Sequence, residues 1–223
     1  LIMCMIYLAL CIELNMAPVL INNGDDCVAF MEEEDLARFS ERVGPWFRDF
    51  GFTLTIEEPV RVFEQIEFCQ SKPVEVGDDE WVMVRNPWVC VAKDTMMRCP
   101  DWSCPVRSYR IWMRSVGKCG LALAGGIPYL QSFYEAFNRN GLAGRTNRQH
   151  ITGLEYQARG MSRTQGHIRP ETRHSFWLAW GMTPDQQEAY EAYWDSWVFC
   201  DARPIDSGSV GVDPASPITL QEF

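Results

Sequence analysis

The run Val19-Leu20-Ile21-Asn22-Asn23-Gly24-Asp25-Asp26-Cys27-Val28-Ala29-Phe30-Met31 limits the folds open to this chain more than any other stretch. Two short apolar segments flank an Asn-Gly-Asp-Asp tip, which predicts strand, tight turn, strand. The tip presents two adjacent carboxylates, hard oxygen donors suited to a divalent cation. Asp25 and Asp26 are the only charged residues between Glu13 and Glu32. Paired carboxylates in such a setting repel each other unless a cation compensates them.

The chain supplies its own control, because Gly-Asp-Asp recurs at 77–79. An Asp-rich turn is usually just a turn, since Asp tolerates the backbone and accepts local hydrogen bonds. The second copy sits between Glu75 and Glu80, which suits a solvated tip. The first lies between core-like runs. The contrast favours Asp25 and Asp26 as the cation site.

With 223 residues, 47% of them hydrophobic, the chain can bury a core as one large domain or two small ones, so disorder is not the default. It begins inside an apolar run at Leu1, which reads as a fragment whose upstream part is missing. Leu1 to Ile12 has no basic flank and is too short to span a bilayer, so a buried helix is the expectation. Nine cysteines, odd in number and scattered, read as reduced core residues of an intracellular protein. Cys99, Cys104 and Cys119 lack the second pair or nearby His of a zinc site, and packing is the preferred reading.

The net charge of −10 is unevenly distributed. Residues 1–95 carry 7 basic and 18 acidic side chains, 96–176 carry 12 and 4, and 177–223 carry 1 and 8. The middle third is therefore a candidate for phosphate contacts, or else a solvated face that pairs with the acidic ends. Within it Arg107, Arg110 and Arg114 recur at helical spacing, with Lys118 four residues on. Such a row can track an RNA backbone; a solvated helix face reads equally well. Gly117-Lys118-Cys119-Gly120 lacks the features of a phosphate loop. His150, His167 and His174 lack ligand spacing and read as structural.

Coarse periodicity predicts a helix over 32–50 with one apolar stripe, acidic residues at its start, a kink or break at Pro45 and a stop at Gly51. Strands are expected at 52–56, 66–70 and 81–85, the last two joined across 73–80. Helices are expected at 106–123, 129–138, 151–158, 171–180 and 184–197, and a mobile tail over 201–223. The order describes an α+β module of short antiparallel strands with helices, then an all-α module, with the boundary near residue 94.

Several of these segments carry a family resemblance. Asn22-Asn23-Gly24-Asp25-Asp26-Cys27 resembles the central palm motif of RNA-dependent RNA polymerases of plus-strand RNA viruses, most closely the tombusvirus-like group. Glu67-Phe68-Cys69-Gln70-Ser71-Lys72-Pro73 with Trp81-Val82-Met83-Val84-Arg85-Asn86-Pro87 is similar to that group's primer-grip hairpin. Leu1 to Ala9 looks like the end of the palm helix that precedes the catalytic hairpin, and Lys93-Asp94 like the start of the thumb. Ser175-Phe176-Trp177 and Thr183-Pro184-Asp185 extend the likeness more loosely.

The resemblance implies a partial polymerase palm over 1–94 and a helical thumb over 95–200. It implies template-directed nucleotidyl transfer at Mg²⁺ (or Mn²⁺), with Asp25 as principal and Asp26 as second ligand of a two-metal site completed upstream. Asn23 and Gly24 would position the hairpin or the nucleotide, and Phe68, Cys69 and Gln70 would support the primer's 3′ end. The implied partners are template and nascent RNA, ribonucleoside triphosphates, and the missing fingers and palm of the same polymerase or polyprotein. The implied setting is membrane-associated replication complexes in the host cytoplasm, with no membrane anchor in this segment; the fragment alone would be inactive. The strand after Gly51 lacks the group's lysine, so neither Arg48 nor Arg61 is assigned as general acid. A different class of reading is a non-enzymatic RNA-binding module that uses the basic block 96–176.

Overall fold

A computed structural model describes residues 1–97, 104–144 and 153–200. Two antiparallel hairpins and eight α-helices alternate in an α+β arrangement among these residues. Helix α1 (Ile2–Glu13) leads into strands β1 (Val19–Asn23) and β2 (Asp26–Phe30), paired in register from Val19–Phe30 to Asn23–Asp26. Helix α2 (Glu33–Asp49) follows. Its Phe39, Val43 and Phe47 are buried against Ile6 and Leu10 of α1, and each such side chain contributes about 1.5–3 kcal/mol.

Helix α2 runs through Pro45 without a break, so of the kink or break expected there the break does not occur. Its end is as expected. Gly51 takes a positive φ of 83°, Phe52 N–H donates to Phe47 O and Gly51 N–H to Arg48 O, which is a Schellman stop. Helix α1 departs from the buried helix expected of it. Ile6, Leu10 and Cys11 are buried, but Leu1, Ile2, Met5, Leu8 and Ile12 are exposed, because α2 and β1 cover only one of its faces.

The strand expected at 52–56 is absent: residues 52–60 form no regular element, and Phe52 and Ile56 are exposed. Alternation alone is not enough without a neighbouring strand to complete the ladder. The next hairpin is also shifted from its expected place. A 3-10 turn at Phe63–Gln65 precedes β3 (Ser71–Gly77), which pairs with β4 (Glu80–Arg85). Residues 73–77, expected in the connection, are therefore strand. Pro73 is tolerated because each strand of a two-stranded sheet is an edge.

Helix α3 (Pro87–Asp94) was not expected. Asn86 caps it, its side chain accepting from Trp88 and Val89 N–H, with Pro87 at the first turn. Then come α4 (Pro105–Ala124), α5 (Leu130–Asn140), α6 (Gly153–Gln157), α7 (Pro170–Trp180) and α8 (Pro184–Ser196), close to the expected ranges. A capping box between Thr183 and Gln186 opens α8. The tail 201–223 lies outside the described residues.

A second core unites β3, β4 and α3 with the helical block. Val74, Val84 and Cys90 are buried together with Trp112, Met113, Phe133, Tyr134, Phe137 and Phe176. Helices α4 and α5 pack closely because Gly117 and Gly120 leave room for the Asn138 backbone and the Tyr134 ring. At the base of β4, Arg85 and Tyr134 both bond to the buried Asp94 carboxylate, Tyr134 at 2.7 Å. This network ties the second hairpin to α3 and α5. No helix among the described residues is long and apolar enough to cross a membrane.

Candidate active site

The tip between β1 and β2 is the two-residue loop Gly24-Asp25. Gly24 has a φ of 71° and Asp25 is not among the positive-φ residues, the pattern of a type II′ turn. Glycine fits that first position because it bears no penalty at positive φ. Asp25 therefore occupies the turn and Asp26 opens β2, both exposed. Among the described residues neither carboxylate has an ion-pair partner. The flanking strands are less core-like than their composition suggests, since Val19 and Ile21 are exposed.

Two asparagines divide the work at this tip. Asn22, to which the sequence reading gave no role, closes the turn: its Nδ2 donates to Gly24 O at 3.2 Å and to Asp26 O at 2.9 Å. Asn23 instead reaches outward, its Nδ2 donating to the Cys69 Sγ at 3.2 Å. An asparagine two residues before a turn residue can bond its own turn. That signal could have found Asn22.

Phe68, Cys69 and Gln70 do not form the expected strand. Phe68 and Ser71 exchange N–H···O bonds of 2.9 and 3.0 Å, which places Cys69 and Gln70 at a two-residue tip. Both have positive φ, 52° and 59°, as a type I′ turn requires. Neither is glycine, so each residue holds about 1–3 kcal/mol of backbone strain. Gln70 O also accepts from Asn86 N–H at 3.4 Å, which links this tip to the cap of α3. Phe68 is half-buried, and Cys69 and Gln70 are exposed.

The second Gly-Asp-Asp has a different use. Asp78 and Asp79 form the tip of β3–β4, and Asp78 Oδ2 accepts from Arg169 Nη2 at 2.9 Å. Arg163 bonds to Glu80 Oε1 at 3.1 Å. Arg169 holds the Asp78 carboxyl below its ordinary value, first by the hydrogen bond and then by charge. The tip expected to be merely solvated is thus held by two arginines of the helical block.

The basic row lies on α4, and no hydrogen bond or ion pair among the described residues connects it to either acidic tip. Arg107 and Lys118 are exposed, whereas Arg110 and Arg114 are half-buried. Arg110 Nε donates to Asn140 O at 3.0 Å. Arg61 pairs with Glu33. Cys99 and His150 lie outside the described residues, and no group of three or more His, Cys, Asp or Glu among those described could hold a metal ion.

The family profile for viral RNA-dependent RNA polymerase covers residues 1–201. The chain belongs to that family. It is 41% identical over 198 residues to the RNA-directed RNA polymerase of Tobacco necrosis virus (strain A), covering 87% of this chain and 27% of that protein. It is likewise 41% identical over 184 residues to the one from Turnip crinkle virus, covering 79% and 23%. The Melon necrotic spot virus polymerase is 38% identical over 213 residues, covering 92% and 26%. The chain spans about a quarter of the length of these curated relatives.

Proposed function

We propose that this chain is the C-terminal part of a polymerase that synthesises RNA on an RNA template in viral replication. Residues 1–94 form part of the palm and 95–200 the thumb. The observation that carries the reading is the Asn23–Cys69 contact, which brings the carboxylate turn and the Cys69-Gln70 turn together. Nucleotidyl transfer needs the same pairing: a cation site beside a support for the growing strand's 3′ end.

Two exposed carboxylates without a protein cation fit a hard divalent ion, Mg²⁺ or Mn²⁺, as part of its donor set. Asp25 and Asp26 would hold it, with further ligands from the upstream palm. When bound, the metal pair lowers the pKa of the attacking 3′-hydroxyl and stabilises charge on the transferred phosphate. Asn23 holds the carboxylate turn against the Cys69-Gln70 turn, and Gly24 permits the backbone that sets Asp25 at the tip. Phe68, Cys69 and Gln70 support the primer end through backbone and packing rather than acid–base chemistry. Arg107 and Lys118 offer charges to the RNA backbone.

The partners are then template RNA, nascent RNA, ribonucleoside triphosphates and the upstream fingers and palm. The setting is a membrane-associated replication complex in the host cytoplasm. The fragment alone does not polymerise. Replacing Asp25 with Asn in the complete polymerase is expected to abolish RNA synthesis and leave the thermal midpoint in place. Undiminished synthesis would overturn the reading. Salt-sensitive RNA binding that ignores Asp25 and Mg²⁺, in a protein that never polymerises, would instead support a binding module built on 96–176.

A further inference from the structure

The tip that bears Asp25 has almost no packing to hold it in shape. A Cβ built on Gly24 meets no atom within 4 Å, and both carboxylates are exposed. Local hydrogen bonds must therefore order the turn against the mutual repulsion of Asp25 and Asp26.

Asn22 supplies those bonds. Its two amide hydrogens go to Gly24 O and Asp26 O, the carbonyls that bracket Asp25. Its Oδ1 accepts the Cys4 thiol of α1 at 3.1 Å. The two carbonyls fix the sense of the amide, because reversing it would point its oxygen at both of them, and Oδ1 is thereby turned to the Cys4 thiol. Asn22 stands opposite Cys27 in the ladder, and Tyr7, one turn along α1 from Cys4, lies beside Cys27. Successive turns of α1 thus face both members of the second residue pair below the tip.

We propose that Asn22, backed by the Cys4 thiol, is a positioning residue that holds the Gly24–Asp26 turn in the shape its two carboxylates need to bind the divalent cation. This rests on the polymerase reading above. Asn22 touches neither metal nor RNA in this role. It acts through the backbone on which Asp25 and Asp26 are mounted, and so pre-forms the site before the cation arrives.

The test compares Asn22→Ala, Cys4→Ala, Cys4→Ser and Asp25→Asn with the parent protein, each in the complete polymerase. Mn²⁺ binding is followed by the electron paramagnetic resonance of the free ion. Hydrogen exchange is measured at the amides of 24–26, and RNA synthesis is titrated with Mg²⁺. Loss of two backbone bonds in Asn22→Ala is expected to weaken Mn²⁺ binding about tenfold and to raise the half-saturating Mg²⁺ by a similar factor. Exchange at the turn amides should speed up, while the rate at saturating Mg²⁺ stays near that of the parent. Cys4→Ala should fall between Asn22→Ala and the parent, and Cys4→Ser, which keeps a donor, should recover most of the affinity.

Unchanged Mn²⁺ affinity in Asn22→Ala, with synthesis abolished in Asp25→Asn, would overturn the positioning role and leave the polymerase reading standing. Full synthesis by Asp25→Asn would overturn the reading beneath it. If Asn22→Ala does not fold, the serine and alanine variants of Cys4 decide, and equal Mn²⁺ affinities in those two would overturn the proposal.

Discussion

Asn23 and Cys69, 46 residues apart in sequence, meet through an Nδ2–Sγ contact of 3.2 Å that joins the tips of two different hairpins. Each partner is held by its own turn, Asn23 opposite Asp26 in the ladder and Cys69 at positive φ. The contact can therefore transmit position between the tips, although it is exposed and sulfur is a weak acceptor.

Removing either side of this contact should cost no more than about 1 kcal/mol, or about fivefold in kcat/KM for extension of a paired primer. Asn23→Ala and Cys69→Ala in the complete polymerase are expected to show similar losses. The double variant should lose little more than either single one, since the two residues act through one contact. Steady-state extension assays on all three variants check this.

Alkali should destabilise the fold through buried acids. Burial pushes the Cys90 thiol from 9.0 up to about 11. Burial likewise pushes the Tyr129 and Tyr7 hydroxyls from 10.0 up to about 12. Folding thus favours the neutral, protonated forms. Their contribution is complete below the unfolded values and fades as the pH climbs through the folded ones. Thermal melts followed by circular dichroism should show the midpoint falling between about pH 9 and about pH 12. Tyr129→Phe should flatten that decline.

The α4 row should separate into two kinds of residue. Arg107→Ala and Lys118→Ala, at exposed positions, should weaken RNA binding and each reduce the salt slope by about 0.7–0.9. Arg110→Ala loses the bond to Asn140 O and should destabilise the fold by about 1 kcal/mol. Binding isotherms at several salt concentrations, with melts of the same proteins, distinguish the two outcomes.

Gly77→Ala should be poorly tolerated. Its φ of 99° is strained for any side chain, and the added Cβ would run into the Arg169 guanidinium. Urea denaturation is expected to show a loss of about 1–3 kcal/mol.

Much of this architecture could be read from residue order. The first hairpin announced itself through apolar runs around Asn-Gly, and α2, α4, α5, α7 and α8 through helical spacing. Helix α3 was hidden because its 8 residues are too few to show a helical stripe, and its cap and first turn, Asn86-Pro87, directly follow a strand. Strand β3 was displaced because Pro73 suggested a connection, which holds only where both sides of a strand must pair. The 52–56 run shows the opposite error, alternation with nothing to pair against. At the site, the carboxylates and Cys69 could be named, but not the bond between Asn23 and Cys69, because nothing local records a contact across 46 residues. The role of Asp78 was missed for the same reason, its partner Arg169 lying 91 residues away.

The β3–β4 hairpin is also a beam. The 7 residues of β3 make it about 23 Å long. Arg163 and Arg169 clamp its outer end, and its flank, through Val74 and Val84, is set into the helical core. Its inner end carries Cys69 to Asn23. A tilt of about 5° about the clamp would swing that inner end by about 2 Å, most of the width of a hydrogen bond. The helical block and the carboxylate turn are thereby joined through opposite ends of one hairpin.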